Sequence, residues 1–133
     1  MQGPFVGNID ELVTENPHFR RVIFTGERSQ LVVMDIKRGE EIGEETHAHV
    51  EQTLRISSGT GVAVLNGKER PVKAGDVIVV PPGNRHNVIN RGEDSLKIAT
   101  IYAPPNHIDG RMHKTPAEAA SDKEDEAFGE KVK

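Results

Sequence analysis

Between Phe19 and Pro105 the apolar residues come in short β-branched runs cut by glycine, and no stretch holds the 3.6-residue period of an amphipathic helix. Candidate strands are 21–25, 30–37, 46–49, 53–57, 62–65, 69–73, 77–80, 86–89 and 96–103. Strands this numerous, with no helices between them, can bury their apolar faces only against one another. The predicted class is therefore all-β, a small antiparallel barrel or jelly roll with short helical flanks. Asn66-Gly67 between two runs predicts a type I′ hairpin, since both residues take positive φ readily. Val62 and Val64 are expected to share one face, with Val72 continuing that face across the turn. Pro104-Pro105 ends the last predicted strand, because proline cannot donate to a sheet ladder.

The 133 residues are enough for one domain that folds without staples, so a bound metal would be functional rather than structural. The reading divides the chain into an N-terminal flank at 1–19, a barrel at 20–105 and a C-terminal extension at 106–133, partly helical or disordered. In the first flank Ile9 to Val13 is a short amphipathic piece that Asn8 or Asp10 can cap. In the extension Thr115-Pro116 marks a helix start. From Lys114 onward six acidic side chains stand against four basic ones, with Phe128 the one large apolar residue before Val132, a composition expected of a solvated tail. His107 and His113 are expected at the surface.

Two segments carry the chemistry. The first runs Gly39, five residues, Glu45, one residue, His47, four residues, Gln52, six residues, Gly59. The second runs Gly75, five residues, Pro81-Pro82-Gly83, two residues, His86, three residues, Asn90. Strand alternation places Glu45 and His47 on the same side of a sheet, Gln52 begins the return strand, and the Pro81-Pro82-Gly83 turn delivers His86. Imidazole, carboxylate and amide donors without sulfur suit a divalent transition metal: Mn, Fe, Co, Ni or Zn. Inside a barrel, such groups left uncompensated would each cost several kcal/mol against a domain stability of about 5 to 15. A cation or open solvent must compensate them. Asn90 is expected to secure the turn that ends in Gly92, and Arg55 to face outward, opposite Leu54 and Ile56.

Both spacings resemble the two motifs of the cupin family, in which a small double-stranded β-helix holds a divalent metal in its mouth. The second segment matches the family pattern at every defined position. The first matches in spacing, with Glu45 where the family usually has its first histidine and Gln52 where it usually has glutamate. The resemblance implies Glu45, His47, Gln52 and His86 as metal ligands. A second register stays open, because His47-Ala48-His49 reads as the family's His-x-His and would make His47, His49 and His86 the ligands; it leaves two residues before Gln52, whereas the Glu45 register keeps the whole spacing. Phe19-Arg20, Thr25-Gly26, Gln30-Leu31 and the run from Tyr102-Ala103-Pro104-Pro105 to His113-Lys114-Thr115 resemble small single-domain cupins described as mannose-6-phosphate-isomerase-like.

Expected function follows from that resemblance: a metalloenzyme of isomerase, lyase or dioxygenase type acting on a small oxygenated substrate. The alternative is a non-catalytic cupin that binds or senses a small ligand. His49 and Glu51 are the candidate acid/base residues, and Tyr102 is a candidate pocket residue. A net charge of −4, with no basic run interleaved with aromatics, argues against nucleic acid. No stretch is apolar enough for a membrane span. The chain has no cysteine and no export signal, which predicts a cytoplasmic protein. Open barrel edges and the resemblance together predict a homodimer.

Overall fold

The computed structural model describes residues 3–131; the outermost parts of both predicted flanks, Val132 among them, lie outside the described residues. The strands are β1 (Arg20–Thr25), β2 (Gln30–Ile36), β3 (Glu51–Ser58), β4 (Thr60–Leu65), β5 (Lys68–Lys73), β6 (Val77–Val80), β7 (His86–Ile89), β8 (Leu96–Ala103) and β9 (Met112–His113). Helices are α1 (Ile9–Glu15), α2 (Pro116–Ser121) and α3 (Lys123–Glu130). One sheet has the order β6-β3-β8-β2-β1-β9 and the other β5-β4-β7, with antiparallel pairing in both. The core fills the space between them: Val32, Met34, Ile36, Leu54, Ile56, Leu96 and Ile98 from the larger sheet meet Ala63, Val72 and Val88 from the smaller. Each such aliphatic side chain contributes up to about 1.5 to 3 kcal/mol of burial. This is an all-β jelly roll with short helical flanks.

β2 is buried on both faces because α1 lies across its outside, where Val13 packs with Val33 and Ala99. Asn8 caps α1 by accepting from the Glu11 amide at 3.0 Å. Asp10 does not cap; it pairs with the outward-facing Arg55 at 3.1 Å.

The predicted hairpin forms, with Asn66 at φ 51° and Gly67 at φ 82°. Val62 and Val64 share a half-buried face, but Val72 is not on it: its register partner is Gly61, so it lies on the inner face with Ala63. That inner face is tight. A Cβ on Gly61 would sit 2.7 Å from Leu96 Cδ2 and 2.9 Å from the Ile89 carbonyl oxygen, so the face holds glycine and alanine where valines alternate outside.

Three further expectations are corrected. Residues 46–49 form no strand, because the segment from Glu41 to Glu45 meets β7 through two isolated bridges, and Gly43, at φ 103°, interrupts any ladder between them. β8 ends at Ala103 before the prolines but is not the last strand, since β9 adds to the β1 edge. The acidic extension is not a free tail. Thr115 caps α2 and Asp122 caps α3, and the helices dock on the barrel through buried His107 and His113, both expected at the surface. His107 Nδ1 lies 2.7 Å from Asp125 Oδ2, the Ile108 amide donates to Asp125 Oδ1 at 2.7 Å, and His113 Nε2 lies 2.9 Å from Asp122 Oδ2. Local composition predicts solvation; these long-range pairs decide otherwise.

Candidate metal centre

Glu45 and His86 are placed side by side by a single antiparallel bridge in which each amide donates to the other's carbonyl at 2.9 Å. The loop is strung along β7 by further hydrogen bonds: Ile42 N donates to the Val88 carbonyl, and Gly43 N to the Asn87 side-chain Oδ1. His47 is held in turn by its own carbonyl, which accepts from Gly83 N at 2.8 Å. The Pro81-Pro82-Gly83 turn therefore anchors one imidazole and delivers the other.

Ligating atoms of Glu45, His47 and His86 lie within 4.8 Å of one another. Gln52, fully buried on β3, joins them with Oε1 at 3.0 Å from His86 Nε2. All four residues of the Glu45 register converge, although no strand supplies the first two. His49 is exposed at the cavity rim and outside the cluster, because the chain turns between Ala48 and β3. Glu51 is exposed: Gln52 points inward, so its neighbour on β3 points out. Tyr102 does not line the cavity; it is fully buried, its ring edge-on to His47 at 6.1 Å and to His107 at 4.9 Å. Asn90 holds the turn to Gly92 as expected, accepting from its amide and donating to the Ile36 and Asp94 carbonyls.

Hydrogen-bond chemistry tests whether these residues fit a cation. His86 Nδ1 lies 3.0 Å from the Asn84 carbonyl, which can only accept, so the assigned tautomer carries its proton on Nδ1. Nε2 of the neutral ring is then a bare lone pair, and the atom facing it is another acceptor, Gln52 Oε1. A proton or cation between them, or a reversed amide with its oxygen toward the Thr100 hydroxyl, satisfies the pair. His47 Nε2 is buried with no hydrogen-bond partner, although Glu45 Oε2 is 3.0 Å away. Burial would raise the Glu45 pKa, but the adjoining His47 and the charge of Arg20 outweigh it and hold the carboxyl below its usual range. An ionised carboxylate, an imidazole nitrogen 3.0 Å from it and a second imidazole anchored through its far nitrogen form a donor set that fits a divalent metal.

The cluster borders a cavity of about 800 Å³ between the 42–50 loop and the C-terminal helices. Arg20, His107 and Asp125 also line it, none of them singled out as site residues from sequence. A signal for Arg20 exists, since its period of two with the inward Val22 turns it inside. His107 and Asp125 have none, because a loop and a helix 18 residues apart bring them together. A second group, His113, Asp122 and Asp125, has ligating atoms equally close, but Asp122 is already paired with Arg111 and hydrogen-bonded to His113.

Residues 32–102 match the model of the cupin domain. The uncharacterized protein YrkC of Bacillus subtilis is 42% identical over 124 residues, spanning 89% of this chain and 67% of that protein. A Bacillus halodurans crystal structure superposes with a TM-score of 0.88 at 38% identity, covering 90% of this chain and 95% of that one. An oxalate-binding protein of Thermotoga maritima is 32% identical over 68 residues, 51% of this chain and 56% of that protein. No helix among the described residues is long and apolar enough to cross a membrane.

Proposed function

The chain belongs to the cupin family, and from that premise we propose that Glu45, His47, Gln52 and His86 hold one divalent transition metal, Mn, Fe, Co, Ni or Zn. The protein is then a metalloenzyme for a small oxygenated substrate, of isomerase, lyase or dioxygenase type. The observation that carries this reading is the convergence of the Glu45 carboxylate, His47 Nε2 at 3.0 Å from it, and the Nδ1-anchored His86. The oxalate-binding relative of Thermotoga maritima supports a small oxygen-rich ligand.

A bound ion supplies Lewis acidity toward a carbonyl or carboxylate oxygen. The protein's own groups set the conditions. The Asn84 carbonyl holds the His86 tautomer, the Thr100 hydroxyl fixes the Gln52 amide, and the Tyr102 ring backs His47 and excludes water from behind. His49, exposed at the rim, is the residue placed to pass a proton between cavity and solvent. Metal analysis of protein purified without chelators should return close to one transition metal per chain. His86→Ala and His47→Ala should lose it and His49→Ala keep it; metal retained in His86→Ala sinks the assignment.

Gln52 favours a second reading. A neutral amide in place of the family's carboxylate holds a cation less tightly, which suits a non-catalytic cupin that binds or senses a small organic ligand. Protein that stays metal-free and whose melting temperature rises with organic ligand alone would establish it.

The assembly we propose is a homodimer. Val79, Thr53 and Ile101 form one outward row across β6, β3 and β8, beside the open β6 edge, and Leu31 and Phe24 extend it across β2 and β1. Val77, Val79 and Ile101 are 62%, 55% and 45% exposed, an apolar stripe suited to a second copy.

A further inference from the structure

Arg20 opens β1 and points into the barrel mouth, where it is 6% exposed and lines the cavity. It makes no ion pair among the described residues. Its Nε is buried without a hydrogen-bond partner, and its guanidinium rests 5.2 Å from the Phe19 ring centroid. The ionised Glu45 feels its charge without pairing to it, and a guanidinium at this depth is costly unless an anion meets it directly. Its planar fork matches a carboxylate.

His107 lines the same cavity and is 7% exposed. Asp125 holds its Nδ1 at 2.7 Å, and its Nε2 is buried with no partner. Asp125 accepts, so the proton sits on Nδ1 and Nε2 presents a lone pair. Burial works in the same direction by disfavouring the charged ring. A lone pair takes a donor, and a hydroxyl group supplies one.

We infer that the cavity binds a small hydroxycarboxylate, its carboxylate on the Arg20 guanidinium and its hydroxyl donating to His107 Nε2. This deepens the metal-cupin reading by naming a substrate class for the same site. It also selects among anions. Glu44, Glu45, Asp125, Glu126 and Glu130 line the cavity as well, so a phosphate dianion is repelled where a single carboxylate is tolerated.

The test is calorimetric titration of the full chain with glycolate, acetate, the neutral glycolamide and inorganic phosphate at constant ionic strength, on metal-loaded and chelator-treated protein. Glycolate should bind best, acetate more weakly, and glycolamide and phosphate at least about tenfold more weakly than glycolate. Arg20→Met should lose both carboxylates, and His107→Gln should remove the advantage of glycolate over acetate. If Arg20→Met fails to fold, Arg20→Lys decides, since it keeps the charge but loses the fork and should bind glycolate about tenfold more weakly. Phosphate or glycolamide binding as well as glycolate, glycolate no better than acetate, or binding that survives the Arg20 changes each overturns the inference. Stoichiometric metal without glycolate binding defeats it and leaves the metal reading standing. Arg20-dependent glycolate binding in protein that takes up no metal does the reverse.

Discussion

Removing the Asp125 carboxylate should release the C-terminal helices from the barrel. Its two oxygens each take a 2.7 Å hydrogen bond, one from the Ile108 amide and one on His107 Nδ1, and the paired side chains are 6% and 9% exposed. Hydrogen bonds to a charged group contribute about 1.5 to 3 kcal/mol each, and the orphaned His107 and Ile108 donors regain water once the helices lift. Asp125→Ala should therefore cost about 2 to 4 kcal/mol, and Asp125→Asn, which keeps an acceptor for one donor, about half that. Tyr102 is the single tyrosine in a chain without tryptophan, so its emission reports unfolding in urea; hydrogen exchange over 116–130 reports local release. The pH dependence has a definite sign. Burial lowers the His107 pKa below its ordinary 6.5. Burial would raise that of Asp125, but the hydrogen bond and charge of His107 outweigh it and lower it. Both groups bind more protons when unfolded, so their stabilisation is complete above about pH 6.5, declines as His107 begins to charge, and falls further in the carboxylate range. Asp125→Ala should flatten that decline. A stability change under about 0.5 kcal/mol, with unaltered exchange over 116–130, would show that the extension is solvated after all and refute the reasoning.

Gln52→Glu should raise metal affinity by about tenfold or more while lowering the melting temperature of the metal-free protein, because a second carboxylate is then buried beside Glu45. Paired metal titration and thermal unfolding check both halves, and unchanged metal affinity would place residue 52 out of the metal's reach. Gly61→Ala should destabilise the barrel by about 1 to 3 kcal/mol, since its Cβ meets the Ile89 backbone, which cannot rotate aside; chemical denaturation measures it, and a neutral result would mean the two sheets are looser than they stand. Val79→Asp should convert the proposed dimer to monomer in sedimentation velocity with the fold intact by circular dichroism, and an unchanged sedimentation coefficient would move the interface elsewhere.

The sequence by itself determined the all-β class, eight of the nine predicted strands to within a residue or two, the Asn66-Gly67 hairpin, the caps at Asn8 and Thr115, and the spacing that brings Glu45, His47, Gln52 and His86 together. These are local quantities: a period of two, a positive φ, a capping side chain, a fixed count of residues between turns. Tertiary structure alone decided that 46–49 stays a loop, because a strand needs a partner and the isolated bridges to β7 fall at Glu41 and Glu45, before it. It decided that Val72 faces inward, since register across a hairpin belongs to the pair of strands and not to either one. It also turned an acidic extension into the wall of the cavity, through His107 and Asp125, 18 residues apart. Composition reports the average preference of a segment for water, whereas docking rests on a few buried pairs that no local pattern encodes.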